Sequence, residues 1–418
     1  MEHKLAQYQI TAPESLLEAT IPLPASKSIS NRAHIIRALT KDPQPVLNLS
    51  DCDDTRVMEE VFRSAGTEFD IGHAGTAMRF LTAWLSTRPG EWVLTGSERM
   101  KQRPIRVLVD ALTSLGARIS YLDKVGFPPL GISGSTLKGG VVELDGSVSS
   151  QYITALLLIA PSLEGGLILR LKNKLTSRSY IEMTLKLMEH FGIRHSWKNR
   201  EISVPQQTYR SVEYRVEADW SAASYWYEIL SLVPSGSIFL RGLTRSGLQG
   251  DEAVSHWFTG FGIDTILSDE GIRLTRNEEI QPVRIFLSFH ENPDLAQTMA
   301  VVCVARKIPF HFIGLETLKI KETNRIAALQ NELKKFGAIL TEPSEGELKW
   351  DGVIHREFIQ NVPVIETYND HRMAMAFAPL ALAGKPVIIQ QPAVVTKSYP
   401  DFWDDLGMAG FSISSVPC

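Results

Sequence analysis

Two kinds of helical pattern alternate along this chain. The first carries a single apolar stripe. Ile105, Leu108, Leu112 and Leu115 fall at 3-4-3 spacing, and Ile326, Leu329, Leu333 and Phe336 repeat it. That spacing places the apolar side chains on one face of a helix. Six stretches share this amphipathic character: 54–65, 105–115, 180–191, 251–261, 324–336 and 399–409. Each runs into a glycine, at Gly66, Gly116, Gly192, Gly262, Gly337 and Gly410, and then into a short alternating strand. Glycine supplies the left-handed residue that commonly closes a helix. The second pattern starts with small or polar residues and then turns apolar on nearly every side. It occupies 75–85, 150–161, 219–233, 294–305 and 370–382, with 28–39 a more polar sixth copy. A helix apolar all round is a buried helix. The chain therefore reads as an α/β (α+β) protein of six units, each with one inner and one outer helix and strands between them. The closing glycines lie 50 to 76 residues apart, longer than most solenoid repeats and suited to a βαβ-type unit. Six units exceed a single core, so two domains of about three units each are expected.

Composition narrows the partners. The 418 residues are 44% hydrophobic and 22% charged, with 43 Lys and Arg against 47 Asp and Glu. A net charge of −4 without long basic runs argues against nucleic acid or an anionic membrane as partner. Cys52, Cys303 and Cys418 show no paired metal spacing and form no even disulfide set, which suits a reducing compartment. Met1-Glu2-His3-Lys4 leads into no apolar signal segment, and the longest apolar runs, such as 155–161, are about half a membrane span. A cytoplasmic protein is expected.

The candidate chemistry gathers at the starts of the buried helices. There, unpaired N–H groups carry partial positive charge and suit anions. Pro24-Ala25-Ser26-Lys27-Ser28-Ile29-Ser30-Asn31-Arg32 sets two cations around three serines at a strand-to-helix turn. Gly72-His73-Ala74-Gly75-Thr76-Ala77-Met78-Arg79 lets backbone approach a ligand closely. Met100-Lys101-Gln102-Arg103-Pro104 places a proline near the first helical position, and Gly146-Ser147-Val148-Ser149-Ser150-Gln151 offers hydroxyl and amide donors. The later half adds Asn292-Pro293-Asp294, Lys319-Ile320-Lys321-Glu322-Thr323-Asn324-Arg325, Asn369-Asp370-His371-Arg372 and Thr396-Lys397-Ser398-Tyr399-Pro400. Singly, each reads as a helix cap with a solvated charge.

Together and in order, SKSISNRA, GHAGTAMR, RMKQRPI, GSVSSQ, IKETNR and YNDHRMAM resemble the 3-phosphoshikimate 1-carboxyvinyltransferase (5-enolpyruvylshikimate-3-phosphate synthase) family of enolpyruvyl transferases. The resemblance runs from about residue 23 to 406. It implies two similar domains, each of three βαβαββ units with buried parallel helices, an inside-out α/β barrel. It places the domain crossings near 23–26 and 243–248, giving one discontinuous domain of 1–24 plus 246–418 and a second of 25–245. The implied reaction moves the enolpyruvyl group of phosphoenolpyruvate to the 5-hydroxyl of shikimate 3-phosphate and releases phosphate, a step toward chorismate and the aromatic amino acids. The family uses no metal or organic cofactor. Its members are generally monomers that close their domains over small-molecule substrates.

Carried over residue by residue, the resemblance assigns Lys27 to both substrates. Ser28, Arg32, Ser149, Ser150, Gln151, Ser177, Tyr180, Asp294 and Lys321 fall to shikimate 3-phosphate. Gly75, Arg103, Gln151, Arg325, Arg372 and Lys397 fall to phosphoenolpyruvate. Asp294 matches the proton acceptor at the attacking hydroxyl. Glu322, with Lys321, matches the proton-transfer groups at the methylene carbon. Lys27, Arg32, Arg79, Arg103, Lys321, Arg325, Arg372 and Lys397 would face two substrates that bring roughly five to six negative charges. Two like charges 4 Å apart cost about 4 kcal/mol at an effective dielectric near 20. An open ligand-free form, its cations repelling one another, is therefore expected to close on the anions.

Four positions depart from the family. Thr317 stands where Asn is usual, His73 replaces an Asn, Phe80 a Pro and Ala25 a Gly. The sister reaction on UDP-N-acetylglucosamine typically employs a loop cysteine. None of the three cysteines fits that loop, and the Ser-Ser-Gln and Lys-Glu-Thr segments favour shikimate. A noncatalytic binder of phosphorylated ligands is the other alternative, and the retained Asp294 and Glu322 argue against it. His34 and His190 lack metal spacing and are expected to be structural or exposed.

Overall fold

A computed structural model describes residues 7–14, 17–147, 149–173, 175–276 and 280–417. The opening residues 1–4, Val148 of the Ser-Ser-Gln segment and Cys418 lie outside them. Twelve α-helices occur among the described residues: α1 (Lys27–Leu39), α2 (Asp53–Arg63), α3 (Gly75–Ser86), α4 (Arg106–Ser114), α5 (Ser150–Ile159), α6 (Arg178–His190), α7 (Trp220–Leu232), α8 (Ala253–Thr259), α9 (Ala296–Ala305), α10 (Arg325–Lys334), α11 (His371–Phe377) and α12 (Phe402–Met408). The odd-numbered helices are the apolar-all-round segments and the even-numbered ones the striped segments. Burial follows the pattern. Every residue of α5 except Gln151 is buried, whereas α2 buries only Asp54, Thr55, Met58 and Val61.

Five of the six closing glycines take φ between 80° and 95°: Gly116, Gly192, Gly262, Gly337 and Gly410. Gly66 does not. There α2 stops earlier, at Ser64 with φ −75° and ψ 140°, and the chain leaves in an extended conformation. Pro104 also departs from expectation. It precedes α4 by two residues, outside the first turn, and its carbonyl accepts hydrogen bonds from Arg79 and Tyr152.

The chain forms two compact units, Ala25–Val216 and Met1–Pro24 with Glu217–Cys418. The second boundary falls at 216/217 rather than 245/246. The reason is strand pairing: Gly236–Arg241, which follows α7, lies parallel to Leu17–Pro22 and antiparallel to Gly271–Arg276. Both α7 and this strand thus belong with the N-terminal strands.

Around α3, α5, α7 and α11 the strands repeat one order, whereas among the described residues the copy around α1 has the parallel pair Val46–Leu47/Tyr214–Arg215 and the copy around α9 a three-stranded sheet. A strand precedes an inner helix, a second strand lies parallel to the first, the outer helix follows, and a hairpin closes the sheet. Lys138–Asp145, α5, Glu164–Lys172, α6 and the hairpin Ser196–Lys198/Glu201–Val204 give one copy. Glu68–Asp70, α3, Gly90–Thr95, α4 and the hairpin Arg118–Tyr121/Leu130–Gly134 give another. The copy around α11 borrows its last strand from the N-terminus, Gln7–Thr11, which pairs with Val387–Gln390 and Ser412–Val416. The sheets lie outside and the odd-numbered helices inside. In the unit Ala25–Val216, the Arg32 guanidinium of α1 lies 5.7 Å from the Phe80 ring of α3 and 3.5 Å from Thr154 Oγ1 of α5. Gln151 reaches Thr76 at 3.3 Å, second residue of α5 to second residue of α3, and Arg88 just past α3 donates to the Ala38 carbonyl near the end of α1, so the three run parallel with their starts at one end. In the other unit, Ser224 of α7 meets Thr298 of α9 at 3.2 Å, and Tyr225 of α7 meets Arg372 of α11 at 3.4 Å. These contacts likewise join early residues to early residues.

Candidate active site

The two units present different chemistry at these helix starts. In Ala25–Val216, neither α1 nor α3 has a side-chain cap among the described residues, which leaves backbone N–H groups pointing out of the bundle. Only α5 is capped, Ser149 Oγ accepting from the Gln151 backbone at 3.4 Å. Lys27 is the first residue of α1, and its Nζ lies 3.7 Å from Asp54 Oδ2. Arg32, one turn further, is clamped: it donates to Thr184 Oγ1 at 2.8 Å, to the Ser28 carbonyl at 2.7 Å and to the Tyr180 carbonyl at 3.2 Å. Burial draws its pKa down to about 10, partly opposed by Tyr180. Ser177 begins α6 in the left-handed conformation, φ 54°, and is buried. Ser150 is buried beside half-buried Ser149 and Gln151, and Gln151 Nε2 reaches Thr76 Oγ1 at 3.3 Å.

Gly75 opens α3 against Arg103. A Cβ placed on Gly75 would overlap the Arg103 guanidinium, so only glycine lets that side chain lie across the helix start. Arg79 is held one turn away by the carbonyls of Gly75 at 3.1 Å and Pro104 at 2.9 Å.

The unit containing Glu217–Cys418 is dense in carboxylates at the corresponding places. Asp219 caps α7, and Asp370 caps α11 through the Arg372 backbone at 3.0 Å. Arg325, 1% exposed, forms the hub: 2.7 and 3.2 Å to Asp370, 3.0 Å to Asp294 and 3.0 Å to Glu322. Arg372 bonds the other oxygen of Asp294 at 3.0 Å, Lys397 holds Glu322 at 2.8 Å and Lys321 lies 3.6 Å from Asp294. The expected bare repulsion among cations is therefore not what this unit contains: Lys321, Arg325, Arg372 and Lys397 alternate with Asp294, Glu322 and Asp370.

This network sets the protonation states. Burial pushes Asp294 up, but Arg372, Lys321 and Arg325 together outweigh it and hold the carboxyl well below the usual aspartate range. Burial pulls Lys321 below the usual lysine range against the attraction of Asp294. Burial also opposes the charge of Arg325, and Asp370, Glu322 and Asp294 overcome it. Behind this cluster Asp251 accepts from Asn292 at 3.3 Å and from Ser221. Burial, followed by the Asp294 charge, raises its pKa to about 6.

Sequence reasoning missed Asp54, Asp251 and Tyr225, and gave Asp370 no role. Asp54 sits in an acidic run that resembles a solvated face, and Asp370 in a position that any capping aspartate fills. Of the departures, Thr317 keeps a buried Oγ1 without a partner among the described residues, and His73 Nδ1 lies 2.9 Å from Ser97 Oγ. Among the described residues no group of three or more His, Cys, Asp or Glu is placed to hold a metal ion, and no helix is long and apolar enough to cross a membrane.

Comparison with known proteins agrees with the order of motifs. The family model for EPSP synthase (3-phosphoshikimate 1-carboxyvinyltransferase) matches residues 11–70 and 63–406. A 3-phosphoshikimate 1-carboxyvinyltransferase of Bacteroides fragilis is 52% identical over 408 residues, covering 97% of this chain and 98% of its own. One from Photobacterium profundum is 35% identical over 94% of this chain and 97% of its own. The solved EPSP synthase of Acinetobacter baumannii, at 20% identity, superposes with a TM-score of 0.77 over 98% of this chain and all of its own, which shows the common fold. The chain belongs to the EPSP synthase (3-phosphoshikimate 1-carboxyvinyltransferase) family.

Proposed function

We propose that this chain transfers the enolpyruvyl group of phosphoenolpyruvate to the 5-hydroxyl of shikimate 3-phosphate. In addition, the hydroxyl oxygen bonds to C2 of phosphoenolpyruvate, its proton passes to Asp294, and C3 gains a proton from Glu322 or Lys321. In elimination, C3 loses a proton to the same group, the C2–C3 double bond returns and the C2–O bond to phosphate breaks. A hydroxyl is a weak nucleophile, so a base within hydrogen-bond reach must take its proton as the bond forms.

The observation that carries the reading is the carboxylate–cation network around Arg325, where three proton-transfer candidates, Asp294, Glu322 and Lys321, and three anion-binding cations, Arg325, Arg372 and Lys397, are linked by N–O contacts of 2.8 to 3.6 Å. An aspartate held this far down is a poor base. Arrival of phosphoenolpyruvate supplies competing anions for Arg325, Arg372 and Lys397. As their pairing shifts to the ligand, Asp294 and Glu322 gain basicity where the protons must move. Guanidinium groups suit this exchange because they bind carboxylate and phosphate with the same planar fork. In the other unit, Lys27, Ser28, Arg32, Ser149, Ser150, Gln151, Ser177 and Tyr180 take shikimate 3-phosphate, with Gly75, Arg103 and Gln151 on phosphoenolpyruvate. The uncapped starts of α1 and α3 support an anion there.

The test is phosphate release by the purified chain. Release that requires both substrates, and is absent with UDP-N-acetylglucosamine as acceptor, supports the reading. Release from phosphoenolpyruvate alone, or with the nucleotide sugar, refutes it.

A further inference from the structure

At the opposite end of α1 and α3 from their helix starts lies a cavity of about 280 Å³ that the reaction does not use. It is bounded by the last turns of α1 and α2, by Trp84 of α3 and by Arg88 just beyond. Its walls combine two features. The first is aromatic: His34 and Phe62 lie 5.8 Å apart, and Phe62 meets the Trp84 ring edge-on at 4.9 Å. The second is cationic: Arg37, Arg63 and Arg88 line it against one carboxylate, Glu59.

That carboxylate is engaged by Arg63 at 2.6 Å. Among the described residues neither Arg37 nor Arg88 has a carboxylate partner. Arg88 lies over the Trp84 ring at 5.1 Å and donates to the Ala38 carbonyl, which spends one of its five N–H groups. Cations in the last turns of α1 and α2 offset the partial negative charge there, which explains Arg37 and Arg63 individually. It does not explain why three arginines surround an opening, nor two further orphans. His34 Nε2, on a side chain 3% exposed, and Trp84 Nε1 are buried without a hydrogen-bond partner among the described residues. Buried polar groups left unpaired are uncommon; both nitrogens are closed off from the cavity surface, so a ligand there would meet ring faces and arginines rather than these atoms. Burial, with Arg37 and Arg63 opposing Glu59, lowers the His34 pKa to about 4, so the ring is neutral and its charge does not add to the arginines.

We propose that this cavity is a binding site for a small planar aromatic carboxylate. The ring lies among Phe62, Trp84 and His34. The carboxylate is taken by Arg37 and Arg88. The volume accommodates a single six-membered ring with its substituents. Arg37 is ten residues along α1 from Lys27, roughly 15 Å at the helical rise, so occupancy here leaves the substrate residues open.

Benzoate is the probe, titrated into the full chain with binding read by calorimetry and by the Trp84 indole N–H resonance. The site predicts 1:1 saturation with a dissociation constant of about 1 mM or tighter. It predicts that the Trp84 resonance shifts in step and that binding persists with both substrates at saturation. Arg37→Ala and Arg88→Ala, both outside the core, should each weaken binding about tenfold, the effect of one charge-assisted hydrogen bond. Cyclohexanecarboxylate, charged but not planar, and benzamide, planar but uncharged, should bind at least as poorly as benzoate binds those variants. Displacement of benzoate by phosphoenolpyruvate, equal affinity in both arginine variants, equal affinity for either control compound, or no saturation overturns the proposal.

Discussion

Arg325→Met isolates the strongest structural claim, that one buried guanidinium holds three carboxylates in place. Methionine keeps the length and much of the volume of the arginine stem while removing its four hydrogen bonds to Asp370, Asp294 and Glu322, which span 2.7 to 3.2 Å. Asp294 keeps Arg372 and Lys321, and Glu322 keeps Lys397. Asp370, fully buried, keeps only the Arg372 backbone N–H and the nearby ring of His371 among its described partners. Stranding a buried carboxylate this way costs about 3–5 kcal/mol, a large part of the roughly 5–15 kcal/mol that holds a domain folded. Five of the eight tryptophans, Trp220, Trp226, Trp257, Trp350 and Trp403, lie in the unit that contains Arg325, so urea unfolding followed by tryptophan fluorescence reports mainly on that unit. Arg325→Met should shift its transition by the stated amount. Adding Asp370→Asn should recover part of the loss, because the stranded charge is then gone, and the two changes should be non-additive by more than about 1 kcal/mol. A loss below about 1 kcal/mol for the single variant, or strict additivity in the double, refutes the hub.

Gly75→Ala should leave stability nearly unchanged, because the atoms it displaces are the far end of the long Arg103 side chain rather than backbone. It should raise the KM for phosphoenolpyruvate about tenfold, as expected for one disturbed charge-assisted bond, with little effect on shikimate 3-phosphate; equal effects on both substrates would count against the assignment. Asp294→Asn should lower kcat by about 10²–10⁴ with far smaller changes in KM, the range for loss of a general base, and steady-state kinetics at saturating substrates checks it. Glu228, fully buried in α7, has both carboxyl oxygens unpaired among the described residues, and burial alone pushes its pKa well above 4.5. A raised folded-state pKa gives stability that is complete below the ordinary glutamate value and is lost as pH rises through the raised one. Glu228→Leu should stabilise its unit by about 1–3 kcal/mol at neutral pH and flatten that decline with rising pH, measured by urea unfolding across the pH range; destabilisation at neutral pH would mean that the carboxyl has a partner.

Periodicity exposed the helices because it is a local property. The all-apolar run through Ile153, Ala155, Leu156, Leu157 and Leu158 has no solvent face to offer, whatever surrounds it. The boundary at 216/217 was hidden because it depends on register between Leu17–Pro22 and Gly236–Arg241, more than two hundred residues apart, and no local signal encodes such a pairing. Gly66 misled for a related reason: glycine permits a left-handed closure but does not require one, and Ser64 had already ended the helix. At the site, the cations were legible because each sits in a recognisable segment. Their partners were not, because Asp54 and Asp370 look like ordinary helix-start aspartates until Lys27 and Arg325 are seen beside them. The arginines around the cavity at the far end, at 37, 63 and 88, share no motif, and only the fold brings them together.

The pairing of cations with carboxylates around Arg325 ties stability to chemistry. Cations left bare about 4 Å apart would repel by about 4 kcal/mol even at an effective dielectric near 20. Asp294, Glu322 and Asp370 remove that cost in the ligand-free chain. Two of the three are also the groups proposed to move protons, so the charge that stabilises the empty site is the charge that must be released for reaction. Removing either carboxylate then has two consequences: loss of a proton carrier, and exposure of Arg325 and its neighbours to one another. A fall in activity at Glu322 or Asp294 measures chemistry only when folding stability is measured beside it. Asp370 provides the control. It shares the hub with Arg325 but is assigned no proton, so Asp370→Asn should disturb stability and phosphoenolpyruvate binding together while leaving the pH profile of kcat in place. A changed profile would mean that the network, rather than Asp294 and Glu322 individually, sets the basicity of the site.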